Sequence, residues 1–211
     1  MIANATRQVG GDAVDVRALM GPGVDPHAYR QTRSDIVAMT RADLVLYHGL
    51  YLEAQMEDFL KDLSRKSTVV AVAESLPKDL LRAHDDYDNK FDPHVWMTPA
   101  LWKEVVARVA EVLSEVRPDQ ADVFAANAEA HMADLDRLLA YANETLASVP
   151  EDSRVLISAH DAFGYFGRDF SFEVMGIQGI STQSEAGLNR ISELVDLLVQ
   201  RRISAVFVES S

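Results

Sequence analysis

The chain has 211 residues, of which 48% are hydrophobic and 25% are charged, and it carries a formal net charge of −13 without a single cysteine. That composition is ordinary for a globular protein, no apolar run approaches the roughly 20 residues that span a bilayer, and the acidic balance argues against a nucleic-acid partner. Because thiolates are excluded, a tight transition-metal site would have to consist of His, Asp and Glu side chains.

The N-terminal third of the chain predicts strands that alternate with helices. Alternating or β-branched runs indicate strands at residues 13–20, 42–47 and 68–72. Between them, Ser34 is the expected N-cap of one helix, and residues 52–63 form a second helix. Strand–helix alternation of this kind is typical of a parallel sheet with helices on its faces.

Two long helices are predicted in the middle of the chain. Residues 99–116 begin with proline at the tolerated first helical position. Residues 119–148 contain neither glycine nor proline, and they predict one helix of roughly 30 residues, or about 45 Å at 1.5 Å per residue. A helix of this length suits a rigid spine between two lobes.

A second α/β unit follows the spine. Strands are predicted at residues 155–157, 176–179 and 205–208, and a helix is predicted over residues 189–202. This unit stops just after a strand, which indicates an incomplete C-terminal lobe.

The elements together predict the fold class and its division. We expect an α/β protein of two lobes with parallel sheets flanked by helices, joined by one long spine helix, with the C-terminal lobe incomplete. The expected boundaries are residues 1–117 for the N-terminal lobe, 118–148 for the spine and 149–211 for the partial C-terminal lobe.

The tripeptide Asp-Pro-His occurs twice, at residues 25–27 and 92–94, each time in a loop shortly before a predicted helix. Proline ahead of histidine stiffens the backbone, which suits an imidazole that must be held at a fixed angle to a metal ion. The aspartate can cap the turn or accept a hydrogen bond from a ring nitrogen. His27 and His94 are therefore candidate metal ligands.

A third candidate lies where a predicted strand ends. His160 follows the strand at residues 155–157, within the segment Ser-Ala-His-Asp-Ala-Phe. Ligands of open α/β sheets bind outside the carboxyl ends of the strands, so this imidazole could face a cleft between the lobes. A buried histidine that is hydrogen-bonded at a strand end is the alternative interpretation.

Three segments resemble signature segments of one protein family. They are GPGVDPHAY at residues 21–29, FDPHVW at residues 91–96 and SAHDAFGYF at residues 158–166. Further similarity lies at residues 46–53, 179–182 and 206–211. In this order and spacing, the whole chain resembles the zinc- and manganese-binding solute-binding proteins of ABC transporters, the TroA-like group.

The resemblance implies a function and a ligand set. The family binds a zinc or manganese ion between two α/β lobes as the transported species. Carried over by motif, His27 and His94 are ligands from the first lobe, and His160 is the first ligand from the second lobe. The expected partner is the membrane permease of an ABC importer. We expect a monomer that is not an enzyme, located in the periplasm or lipid-anchored outside the cytoplasmic membrane.

The chain departs from the family pattern at both ends. Family members begin with a strand and most of a helix before this sequence starts, and their fourth ligand, an aspartate, lies in a segment after this sequence ends. We therefore expect a fragment that lacks both ends. Glu209, at the end of a predicted strand, is a further candidate ligand, although a structural or capping role is the commoner use of such a residue.

The other three histidines have plainer interpretations. His131 is expected on a solvated face of the spine helix, and His48 is expected to stabilise a turn through a hydrogen bond. His84 lies beside several aspartates, in a solvated acidic loop or a weak auxiliary metal site.

Two alternative functions stay open at this point. A three-His site could hold a catalytic zinc ion, which would need an open coordination position and a general base beside it. No His-Glu-x-x-His or Ser-His-Asp pattern supports that alternative. A metal-dependent adhesin or interaction protein is the second alternative.

Overall fold

The computed structural model describes residues 1–83, 89–182, 187–201, 203 and 205–207. Within these residues the chain forms seven α-helices and four β-strands. The strands form two separate parallel pairs, one in each lobe. The longest helix lies between the two pairs in the sequence, as predicted.

The first lobe is built on one parallel strand pair. Strands β1 (Val45–Tyr47) and β2 (Val69–Ala71) pair with Val45 opposite Val69. Four helices belong to this lobe, and their bounds are α1 Ile2–Gly10, α2 Arg33–Arg41, α3 Glu57–Leu63 and α4 Pro99–Val116. Helix α4 has the predicted bounds. Its first residue is a proline, which fits there because the first backbone N–H of a helix has no partner within the helix.

The N-cap of α2 is Thr32, so the prediction of Ser34 is wrong by two residues. The Thr32 hydroxyl accepts a hydrogen bond from the backbone N–H of Asp35 at 3.3 Å, and the Asp35 carboxylate accepts one from the backbone N–H of Thr32 at 2.8 Å. This reciprocal pair is a capping box. Ser34 lies inside the first turn, where its side chain contacts the Thr32 hydroxyl.

Two other predicted elements differ from the structure. Residues 13–20 do not form a strand, because no strand in the described part of the chain pairs with them; Val14 is extended, with φ −135° and ψ 144°, after a short 3-10 turn. An extended backbone without a neighbour makes no sheet hydrogen bonds. The helix predicted at residues 52–63 is a 3-10 turn over Ala54–Met56 followed by the shorter α3.

Helix α5 (Ala121–Ala147) is the predicted spine, and it begins after a 3-10 turn over Pro118–Gln120. Its first half buries Phe124 and Ala128 against α1 and α4. Its second half leaves Leu138 and Tyr141 exposed. The spine is therefore fixed to the first lobe by its N-terminal turns.

The second lobe repeats the strand–helix–strand pattern. It contains β3 Val155–His160, α6 Gly164–Phe170, β4 Glu173–Gln178 and α7 Leu188–Arg201. Strands β3 and β4 are parallel, with His160 opposite Gln178. Phe207 bridges Ser158 in parallel, which agrees with a strand near residues 205–208, although Val208 lies outside the described residues. The same is true of Arg202 at the predicted end of α7.

The main hydrophobic core lies between α1, α4 and α5. Valines of α4 fill it together with Phe124, and the ring of Tyr165 from α6 belongs to the same cluster. A second, smaller cluster lies around β1 and includes Met39 and Leu60. Because Tyr165 comes from the second lobe, the core of the first lobe extends across the boundary between the lobes.

Candidate metal centre

His27 is held in a loop that precedes α2. The Asp25 carboxylate accepts a hydrogen bond from the backbone N–H of His27 at 2.9 Å, which closes a tight turn around Pro26. The other oxygen of Asp25 accepts a hydrogen bond from the Thr182 hydroxyl at 2.5 Å, which links this loop to the second lobe. His27 is buried, with 4% of its surface exposed.

His94 is held more firmly than His27 by the same tripeptide. One oxygen of Asp92 accepts two hydrogen bonds from His94, from the ring Nδ1 at 2.8 Å and from the backbone N–H at 2.9 Å. A carboxylate on Nδ1 requires the proton to be there, so the lone pair of the neutral ring is on Nε2. Both residues are completely buried, and the imidazole is therefore fixed in orientation and tautomer.

His160 is the last residue of β3. The backbone of this strand is paired along its length with β4, and the Ser158 hydroxyl donates to the carbonyl oxygen of His160 at 2.7 Å. These contacts hold the strand end, and the partly buried imidazole projects from it towards the first lobe. The strand-end position predicted from the sequence is confirmed.

The three imidazoles converge on one point between the lobes. Nε2 of His94 lies 3.2 Å from Nε2 of His27 and 3.3 Å from Nε2 of His160. The three ligand atoms all lie within 4.8 Å of one another. Zn–N bonds of about 2.0–2.1 Å at tetrahedral angles would place neighbouring nitrogens about 3.3 Å apart. The spacing at His94 is therefore that of nitrogens around one small divalent ion.

A buried carboxylate near this cluster has a structural role. Burial raises the pKa of Glu53 to about 7, and a perturbed carboxylate that lines the same cavity as three imidazoles could indicate a general base. Its two oxygens, however, accept hydrogen bonds from the backbone N–H groups of His48 at 2.8 Å and Gly49 at 3.1 Å. Glu53 therefore stabilises the turn after β1.

The remaining predicted residues differ in outcome. Glu209 and His84 lie outside the described residues. His131 is on α5 as predicted, but it is partly buried, and this burial lowers its pKa. His48 makes the predicted kind of contact, a hydrogen bond rather than a metal ligand position: its Nε2 lies 2.7 Å from the carbonyl oxygen of Pro93.

Several supporting residues were not found from the sequence. Arg82 lies with its Nε 3.5 Å from an Asp92 oxygen, and the Tyr165 hydroxyl donates to the Asp92 carbonyl oxygen at 2.8 Å. Trp96 packs its ring edge-to-face on His94, with centroids 5.1 Å apart. Tyr165 and Trp96 lie within the segments that resemble the family, yet nothing local to them indicates these contacts.

Two α/β lobes, a long helix between them in the sequence and three converging imidazoles define the class of two-lobed metal-binding transport proteins. The chain belongs to the ZnuA family, described as zinc-uptake complex component A, periplasmic, whose family model matches residues 1–211. The recognition of this group from the three signature segments is confirmed.

Similar proteins cover the whole of this chain. The manganese-binding lipoprotein MntA of Bacillus subtilis is 46% identical over 210 residues, and the zinc-binding protein TroA of Treponema pallidum is 42% identical over 211 residues. The chain spans 68% of the length of each of them. The solved structure of the periplasmic zinc-binding protein TroA from Treponema pallidum matches with a TM-score of 0.96. The match covers 100% of this chain and 76% of the TroA chain. The predicted two-lobed α/β fold is confirmed.

Family membership decides against one of the two alternative functions. The family comprises periplasmic or lipoprotein metal-binding components of zinc and manganese ABC transporters, which contradicts the alternative of a three-His enzyme. In the described part of the chain, no helix combines the length and the apolar character needed to cross a membrane.

Proposed function

We propose that this chain captures a single zinc or manganese ion with His27, His94 and His160 and presents it to the permease of an ABC importer. The observation that supports the proposal best is the convergence of three ring nitrogens on one point, with His94 fixed in its tautomer by Asp92. Neutral imidazoles are good ligands for zinc, whereas manganese prefers oxygen ligands such as carboxylates.

The choice between the two metals depends on coordination. Three imidazole nitrogens, of which that of His94 lies at tetrahedral spacing from the other two, favour zinc, and zinc also binds more tightly than manganese to nitrogen ligands in general. Of the similar proteins, TroA is named for zinc and MntA for manganese. We keep both metals as candidates, with Glu209 as a candidate for the fourth ligand.

The organisation of the chain follows from the same proposal. We infer that residues 1–117 form the first lobe, 118–148 the spine and 149–211 the second lobe, since the two strand pairs lie on either side of α5. The protein acts as a monomer, and the permease contacts both lobes around the metal centre.

The test is metal content after the protein has been stripped with a chelator and reloaded with zinc or manganese. We expect one bound ion per chain in the wild type and almost none in a His27→Ala/His94→Ala variant. A His131→Ala variant is the matched control, because this histidine lies on α5 away from the cluster. Equal metal content in the double variant and in this control would overturn the assignment of the ligands.

A further inference from the structure

Two successive carbonyl groups immediately before His94 are each held by a buried side chain. The carbonyl oxygen of Asp92 accepts a hydrogen bond from the Tyr165 hydroxyl at 2.8 Å. The carbonyl oxygen of Pro93 accepts one from Nε2–H of His48 at 2.7 Å. Tyr165 belongs to the second lobe and His48 to the first lobe, so the loop is held from both lobes.

His48 is built to act as a fixed hydrogen-bond donor. It is 1% exposed, and its ring lies between Trp96, edge-to-face at 5.2 Å, and Trp102, stacked at 6.3 Å. Burial lowers the pKa of His48 to about 3, so the imidazole stays neutral. Its Nδ1 has no hydrogen-bond partner among the described residues. Burying such a polar atom is costly, and the hydrogen bond to Pro93 is what this buried ring contributes in return.

The turn that presents His48 is strained. Gly49, Leu50 and Tyr51 have φ values of 85°, 53° and 68°. The left-handed region is unfavourable for residues other than glycine, and residues held there cluster at functional sites. The Glu53 carboxylate holds the turn through two backbone N–H groups. The backbone of His48 and of the residues after it is therefore held in place.

Tyr165 is fixed as firmly on the other side. Its ring is completely buried, and its hydroxyl also accepts a hydrogen bond from the backbone N–H of Arg82 at 3.1 Å. The Arg82 guanidinium donates to the carbonyl oxygen of Gly164 at 2.9 Å, and the guanidinium carbon of Arg168 lies 5.2 Å from the centre of the Tyr165 ring. The hydroxyl therefore has a single position, between Arg82 and Asp92.

We propose that His48 and Tyr165 are positioning residues of the metal centre, which hold the carbonyl groups of Pro93 and Asp92 and thereby set the place of the His94 imidazole. This inference rests on the proposed function. Neither side chain belongs to the three-His cluster, and both act through His94, the ligand whose nitrogen lies closest to the other two. A ligand must be held within about 0.5 Å of its productive position, and residues that support ligands commonly contribute 10–100-fold to metal affinity.

The position of Tyr165 also couples the two lobes. It follows His160 along the chain, at the start of α6, so a movement of this lobe would displace a ligand and release the Asp92 carbonyl together. Loss of the hydroxyl should therefore speed metal release in addition to weakening affinity. His48, which lies in the same lobe as His94, should influence the geometry at the ion without this coupling.

The experiment compares three variants with the wild type and one control. Tyr165→Phe removes only the hydroxyl, His48→Met removes the donor, and His48→Gln keeps an amide donor near the position of Nε2. The control is Tyr141→Phe, because Tyr141 is 65% exposed on the spine. Zinc affinity is measured by competition with a chromogenic chelator, zinc release by stopped flow, and ligand geometry by the visible spectrum of the cobalt(II)-loaded protein.

We expect Tyr165→Phe and His48→Met each to weaken zinc binding by roughly 10-fold and to change the cobalt spectrum. Only Tyr165→Phe should markedly speed zinc release, and His48→Gln should retain the wild-type spectrum. Lower thermal stability with unchanged affinity and spectrum would mean that both residues are merely structural and would overturn the proposal. A His48→Gln variant that behaves like His48→Met would overturn the role of His48. If the wild type takes up no zinc or cobalt, the proposed function itself fails, which is a separate outcome.

Discussion

The two Asp-Pro-His tripeptides should respond differently to the same substitution. Asp92→Asn replaces a carboxylate that accepts hydrogen bonds from both Nδ1 and the backbone N–H of His94. Asp25→Asn replaces a carboxylate that accepts a hydrogen bond from the backbone N–H of His27. Both substitutions keep the size and shape of the side chain, and each leaves one oxygen as an acceptor. They differ in the contact of the second oxygen, which lies near Nε of Arg82 in Asp92 and accepts a hydrogen bond from the Thr182 hydroxyl in Asp25.

The magnitude follows from what the carboxylate does when a metal ion binds. The ion draws electron density from the ring, and an ionised partner on Nδ1 compensates for this better than a neutral amide. Removing such a partner typically costs 10–100-fold in affinity, or about 1.4–2.8 kcal/mol at 1.4 kcal/mol per tenfold. Asp25→Asn keeps a backbone hydrogen bond worth about 1 kcal/mol, and it should change affinity by less than about fivefold.

The assay is a zinc titration in competition with a chromogenic chelator, on stripped protein whose folding has been checked by circular dichroism. Thermal unfolding of the metal-free variants shows how much of any loss comes from general destabilisation. Equal losses of affinity for Asp92→Asn and Asp25→Asn would refute the reasoning, since the contact of Asp92 with Nδ1 of His94 would then add nothing to metal binding beyond what Asp25 contributes.

Two further predictions concern stability. Burial raises the pKa of Glu53 from its ordinary value of 4.5 to about 7 in the folded protein. The stability that the buried Glu53 side chain contributes is therefore fully present below pH 4.5, where it is protonated, and is lost as the pH rises to 7. Over that window the metal-free wild type should lose up to about 3 kcal/mol relative to Glu53→Gln; parallel denaturation profiles of the two proteins would contradict this. In β4, a Cβ atom on Gly176 would lie 2.4 Å from the backbone nitrogen of Asp161 and 2.5 Å from the carbonyl oxygen of Gln178. Gly176→Ala should therefore destabilise the protein by about 1–3 kcal/mol in urea denaturation. Gly21→Ala is the control and should be nearly neutral, because a Cβ atom there would have no atom within 4 Å. An equally small effect at both positions would contradict the prediction, since β4 would then adapt to the added methyl group.

Local sequence was sufficient where an element depends on its own residues. Helix α4 begins at Pro99 and ends at Val116 as predicted, because proline defines the first turn and the apolar spacing defines the buried face. Where an element depends on a distant partner, the pattern was misleading. Residues 13–20 alternate like a strand, but the described part of the chain offers no strand beside them.

The start of α2 shows the same limit at short range. Ser34 and Thr32 are both suitable N-cap residues by type. The choice falls on Thr32 because Asp35 lies three residues beyond it and completes the capping box. A start signal thus depends on the pair of residues rather than on the cap alone.

The sequence by itself determined the α/β class and the long helix, which follow from periodicity, and it identified the three histidines of the candidate site through segments that resemble those of one family. Only the tertiary structure decided how these histidines are held. It shows that the two copies of Asp-Pro-His hold their histidines by different contacts. It also brings two distant side chains to the loop of His94: His48 binds Pro93, 45 residues away in the sequence, and Tyr165 binds Asp92, 73 residues away. Hydrogen-bond partners at such separations depend on how the whole core packs, and no local pattern records that packing.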